Sequence, residues 1–172
     1  KKTPLISRLI LNPNQRFSWT NQVNWQDSGQ GLYSASSRVS YLRPRPDYHA
    51  QDAFNFEYRY RQPEIGLEPI NQYEVSFAHT VNQKYKLLGK VRYDNELDRT
   101  LEHVAGLQYS SCCWQASLVY HRLIESDEIT ASQVKAEHSL LFEVQLKSLG
   151  GLGGGIGRFL YEQIPGMKDR RY

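Results

Sequence analysis

Apolar and polar residues alternate along most of this chain with a period of two. In Phe54-Asn-Phe-Glu-Tyr-Arg-Tyr-Arg61, Phe54, Phe56, Tyr58 and Tyr60 fall on one side of an extended strand, and Asn55, Glu57, Arg59 and Arg61 on the other. No helical period fits that stretch. Similar alternations begin at Phe17, Tyr33, Tyr73, Tyr85, Leu101, Trp114 and Leu140, and a shorter one covers Leu5 to Leu11. The pattern predicts about nine strands, most of them about 10–12 residues long. Ordinary strands average about 5–6 residues, whereas a tilted strand needs about 9–11 to cross a bilayer.

Aromatic residues sharpen this picture. Twelve Tyr, six Phe and three Trp are present, and many stand near strand ends: Phe17, Trp19, Trp25, Tyr33, Tyr41, Tyr73, Tyr85 and Tyr93. Aromatic girdles at two membrane surfaces have that placement. The connections also differ in length. Asn12–Asn14, Val81–Lys84 and Ser110–Cys113 are tight, while Gln62–Ile70 and Glu125–Ala136 are longer. Outer-membrane barrels join strands by short periplasmic turns and longer outer loops. Asp27–Gly31 and Arg43–Asp47 sort less cleanly, and strand parity puts the first outside and the second inside. The competing architecture is a soluble β-sandwich or a lipocalin-like barrel, which also alternates. Long strands and so many large aromatics favour an all-β, antiparallel transmembrane barrel.

Composition narrows the function classes. The net charge of +3 and pI near 8.8 come from interspersed charges, with no basic block that would point to nucleic acid. No run of about 18 apolar residues predicts a transmembrane helix. The start lacks the apolar core of a secretory signal and reads like the interior of a longer chain. Arg59, Arg61, Lys84, Lys86, Lys90 and Arg92 fall in polar-face register. They would line a barrel lumen, either as a solvated wall or as a passage for an anionic, sugar-rich or phosphorylated molecule. His49, His79, His103, His121 and His138 show no metal-ligand spacing, and His79 and His103 read as interfacial rings. No cofactor, metal or catalytic constellation is expected. The glycine run from Gly150 to Gly157 lacks the Gly-Lys-Ser/Thr of a phosphate loop. It reads as a flexible exit from the last strand, followed by a short helical piece. Residues 1–149 are therefore assigned to barrel strands and 150–172 to a Gly-rich tail.

Cys112 and Cys113 are adjacent in a turn. Neighbouring Cα atoms sit closer than disulfide geometry favours, so the two do not readily bond each other. They are either free thiols in a turn or two anchors for cysteines elsewhere.

The stretch Gly106-Leu-Gln-Tyr-Ser-Ser-Cys-Cys-Trp-Gln-Ala-Ser-Leu-Val-Tyr-His121 resembles the C-terminal region of the LptD family of lipopolysaccharide-assembly outer-membrane proteins. The last strand from Phe142, its Gly-rich tail and Ile164-Pro-Gly166 are similar to that family's ending. The resemblance implies a barrel of about 26 strands, of which this chain would hold the C-terminal strands. A periplasmic jellyroll domain and the first strands would lie outside it. The resemblance further implies disulfides from Cys112 and Cys113 to that domain. It implies lipopolysaccharide as substrate, a plug lipoprotein LptE, and the periplasmic bridge protein LptA. A lateral gate would open between the first and last strands, so the strand from about Glu137 to Ser148, with Leu140, Phe142, Val144 and Leu146, would form one side. That strand also alternates like the signals that the barrel-assembly machinery, BamA, reads by strand addition. The rival functions are a passive porin or receptor barrel, and an outer-membrane enzyme for which no catalytic group is evident.

Overall fold

The computed structural model describes residues 5–26, 31–48, 50–63, 69–124, 136–146 and 155–167. Among these residues, nine antiparallel strands form a single meander in chain order: β1 (Leu5–Asn14), β2 (Phe17–Gln26), β3 (Gly31–Arg45), β4 (Ala50–Arg61), β5 (Ile70–Thr80), β6 (Tyr85–Asp94), β7 (Arg99–Ser110), β8 (Trp114–Ile124) and β9 (Ala136–Leu146). One helix follows, α1 (Gly155–Gln163). Each strand pairs with its sequence neighbours, and β1 and β9 do not pair with each other, so the sheet is open. The predicted strands are all present, and every one has at least ten residues.

Side-chain hydrogen bonds to the backbone close several turns. Asn14 Oδ1 accepts from the N–H groups of Arg16 and Phe17, both at 2.9 Å. Asn82 Oδ1 accepts from Lys84 and Tyr85 N–H at 2.8 and 2.9 Å. Asp94 Oδ1 accepts from Glu96 and Leu97 N–H at 2.9 and 3.1 Å. Asn and Asp favour turns through this local bonding.

Several boundaries differ from the sequence reading. β1 is a full-length strand that continues to Asn14, because the Asn14 side chain moves the turn to the next two residues. The connection expected at Arg43–Asp47 begins only at Pro46: β3 runs on to Arg45 through Pro44, in register with Gln51 at the strand end, where a missing N–H is tolerated. The Asn95–Asp98 connection is as tight as those at the other rim, with Asp98 at φ 47°. Loop length therefore does not separate the two rims. Residues 147–148 of the expected last strand, and the first four glycines of the run from Gly150, lie outside the described residues.

The two faces of the sheet differ sharply. One carries large apolar side chains open to the surroundings, among them Leu140 (70% exposed), Phe142 (68%), Val75 and Leu87. Gly89 on this face lies under the Phe77 ring, which fills the space a Cβ would need. The opposite face is charged and is partly covered by α1. The helix docks Ile156 and Leu160, with Ile164 and Met167 beyond it, onto Ala53, Ala78, Leu88, Val104 and Val119. Nine residues are too few for a stable isolated helix, so this docking holds it. Full burial of Leu160 and Ile164 contributes about 1.5–3 kcal/mol each. The short helical piece expected after the glycines is thus present, but as a packed strap.

Candidate functional site

The charged face is built from residues at alternate positions of β3 to β8. Glu57 on β4 accepts from Arg38 on β3 (2.8 Å). Glu74 on β5 meets Arg59 (3.3 Å), Arg92 (3.1 Å) and Lys90 (3.5 Å). Glu102 on β7 meets Lys90 (3.0 Å), Arg92 (2.8 Å) and the His121 ring (2.9 Å). Register explains the convergence. Glu74, Arg92 and Glu102 stand directly opposite one another on successive strands, so their side chains project together. Lys90 and Glu102 are only 5% and 3% exposed. Burying charges at that depth is tolerable because each meets an opposite charge.

Of the basic residues read from the sequence, Arg59, Lys90 and Arg92 join this network. Arg61 and Lys86 lie on the same face, with Lys86 buried. Lys84 does not: it is exposed in the turn before β6, because that strand begins only at Tyr85. The sequence reading did not single out the acids that gather these cations, Glu57, Glu74 and Glu102. Their signal was their polar-face parity, but parity alone does not show which residues stand opposite each other.

The strap is tied to this face at both ends. Glu143 of β9 accepts from Gly157 N–H at the start of α1 (3.3 Å), where a carboxylate is favoured by the helix dipole. The Phe159 ring packs on His121 at 5.2 Å, and Lys90 Nζ donates to Gln163 Oε1 (2.5 Å). Past the helix, Asn55 Nδ2 donates to Pro165 C=O (2.9 Å) and Gln51 Nε2 to Gly166 C=O (3.2 Å). The segment therefore crosses the sheet from β9 to β4. Gly166 has φ 78° and approaches Leu42 on β3, so a side chain there would be strained and would clash.

Cys112 and Cys113 occupy the turn between β7 and β8, with Ser111 N–H bonded to Trp114 C=O (2.8 Å). Both thiols are exposed and neither forms a disulfide among the described residues; their sulfurs are 2.9 Å apart. The Cys113 thiol, and next the Ser111 hydroxyl, hold the Cys112 thiol below its ordinary pKa. Beside this turn, Tyr85, Tyr109 and Trp114 stack in succession at 5.1 and 5.0 Å. Tyr58 and Tyr73 stack at 5.0 Å toward the opposite rim. Leu140, Phe142, Val144 and Leu146 all lie exposed on the apolar face of β9, which among the described residues pairs only with β8. Ser139, Leu141 and Glu143 face the other way, with Leu141 against the helix-covered core.

This inverted arrangement, apolar side chains outward and charges inward, defines a segment of a membrane-spanning antiparallel β-barrel. A soluble sandwich would cover the apolar face instead. No family model matches the chain. Among curated proteins it is 33% identical over 105 residues to the LPS-assembly protein LptD of Alcanivorax borkumensis, covering 61% of this chain and 14% of that protein. It is 27% identical over 187 residues to LptD of Chromohalobacter salexigens, covering 99% and 22%. It is 26% identical over 156 residues to LptD of Marinobacter nauticus, covering 89% and 18%. The resemblance read from Gly106–His121 is borne out: this chain is similar to LptD over most of its length. It spans about a fifth of the length of most of the curated relatives it matches.

Proposed function

We propose that this chain is part of an outer-membrane barrel that places lipopolysaccharide in the outer leaflet, without covalent catalysis. The observation that carries the reading is the open edge of β9. Its apolar side is exposed to the lipid position, while its other side abuts the charged face. An amphipathic glycolipid leaving through such an edge would keep its sugar head on the charged side of the sheet, beside Ser139 and Glu143. Its acyl chains would slide past Leu140, Phe142 and Val144. An unpaired strand edge is costly in hydrocarbon, so β9 would rest against the first strand of the complete barrel and part from it during passage.

On this reading the Cys112–Cys113 turn faces the periplasm, and the two thiols bond separately to cysteines of a jellyroll domain. That domain would receive lipopolysaccharide from LptA. LptE would plug the lumen, and BamA would read β9 during assembly. The similarity to LptD and the exposure of both thiols support this reading.

The test is mass mapping of the full-length native protein under non-reducing and reducing conditions, with complementation by Cys112→Ser, Cys113→Ser and the double variant. Bonds from both cysteines to distant partners, loss of assembly in the double variant and tolerance of either single one are expected. Full complementation by the double variant would remove the clamp from the mechanism. Free thiols in the native protein would favour a passive porin.

A further inference from the structure

One line of register crosses the entire apolar face. It runs from Leu11 through Trp19, Val39, Phe56, Val75, Val91 and His103 to Arg122 and His138. The line begins near the β1–β2 turn and ends near the start of β9, so it passes from one rim to the other. That is the shear expected of tilted barrel strands. Its middle is apolar and its last three members are basic. Arg122 lies eight positions from Trp114, the aromatic beside the cysteine turn. At about 3.4 Å per residue that is roughly 27 Å along the strand. A tilt of about 35–45° reduces it to roughly 19–22 Å of height, against an apolar band about 25 Å tall. His103, Arg122 and His138 therefore stand at the far border of the band.

Among the described residues, their surroundings provide no counter-charge. The same-face neighbours Ala105, Tyr120 and Leu140 are uncharged. His138 Nδ1 is 2.8 Å from the Tyr120 hydroxyl, and Arg122 meets no carboxylate among the described residues. At the opposite rim Arg45 meets Asp52 at 2.9 Å. An uncompensated guanidinium facing lipid is costly within the band and cheap at its border, where an anion can reach it.

We propose that His103, Arg122 and His138 form a docking row for the phosphates of a lipopolysaccharide headgroup in the surrounding outer leaflet. This rests on the reading above, which places the rim opposite the cysteines in that leaflet. Three positions on adjacent strands span about 10 Å. That width suits a glycolipid head bearing more than one phosphate better than a single phospholipid. Arg122 supplies the fixed forked donor, and the two rings flank it. The row is distinct from the lumen and from the edge of β9. It would hold lipid against the outside of the barrel beside the exit.

The experiment uses full-length protein purified in neutral detergent and titrated in native mass spectrometry with lipid A, dephosphorylated lipid A, phosphatidylglycerol and inorganic phosphate. The triple variant His103→Ala, Arg122→Ala, His138→Ala should bind lipid A about tenfold more weakly. It should bind the dephosphorylated form as the wild type does. Arg122→Lys should recover part of the loss, and Arg158→Ala should have no effect. Unchanged lipid A binding, or an equal loss for both forms, would overturn the row. Wild-type preference for phosphatidylglycerol, or displacement of lipid A by inorganic phosphate, would overturn the assigned occupant. Complementation separates this from the broader reading: wild-type protein that delivers lipopolysaccharide while the triple variant binds normally sinks only the row.

Discussion

At Glu102, three partners from two neighbouring strands meet one carboxylate that is 3% exposed. Removing it leaves Lys90 buried beside a single acid, Glu74, at 3.5 Å. Glu102→Ala should therefore lower stability by about 3 kcal/mol, read from unfolding in detergent. Arg158→Ala, which breaks an exposed pair within α1, should change it by less than about 0.5 kcal/mol. The cysteine turn yields a second outcome at this scale. The depressed pKa of Cys112 means that its thiolate persists to lower pH than an ordinary thiol's. In the reduced protein, alkylation of Cys112 should have its midpoint below that of an ordinary thiol. Cys113→Ala removes the main cause and should shift the midpoint upward, as followed by rates of iodoacetamide labelling. An unshifted profile would show that the neighbouring thiol does not set the pKa.

The strands and the strap depend on opposite solvents. Phe142 lies on the open apolar face of β9, so Phe142→Arg should cost about 2–4 kcal/mol in a bilayer if the position lies near mid-depth. The check is folding into lipid vesicles, and an unaffected variant would mean that this face does not meet hydrocarbon. Leu160 has the reverse situation, fully buried between α1 and the charged face. Leu160→Asp should detach the helix and expose it to limited proteolysis while the strands stay protected. If the helix remains protected, the polar ties at Glu143, Lys90 and Asn55 suffice to hold it.

For the whole molecule, an open sheet with edges at β1 and β9 and one uncovered apolar face should not stay monomeric in water. Size-exclusion chromatography of the isolated chain should show aggregates in buffer and a discrete species in detergent; a stable monomer in buffer would contradict the membrane reading. The sequence by itself determined the strand number, their length and which residues share a face. Those follow from a period of two, which each side chain carries locally. It also marked the cysteine turn and the helical tail. It placed Lys84 within a strand and began the β3–β4 connection at Arg43 instead of Pro46, because strand ends depend on turn bonds such as the one Lys84 N–H donates to Asn82 Oδ1. Only the tertiary structure decided that Glu74 and Glu102 gather the cations, that α1 straps the charged face, and that His103, Arg122 and His138 stand in one row. Each of these depends on the pairing register between strands or on docking across the sheet, and a one-dimensional pattern of polarity does not contain that alignment.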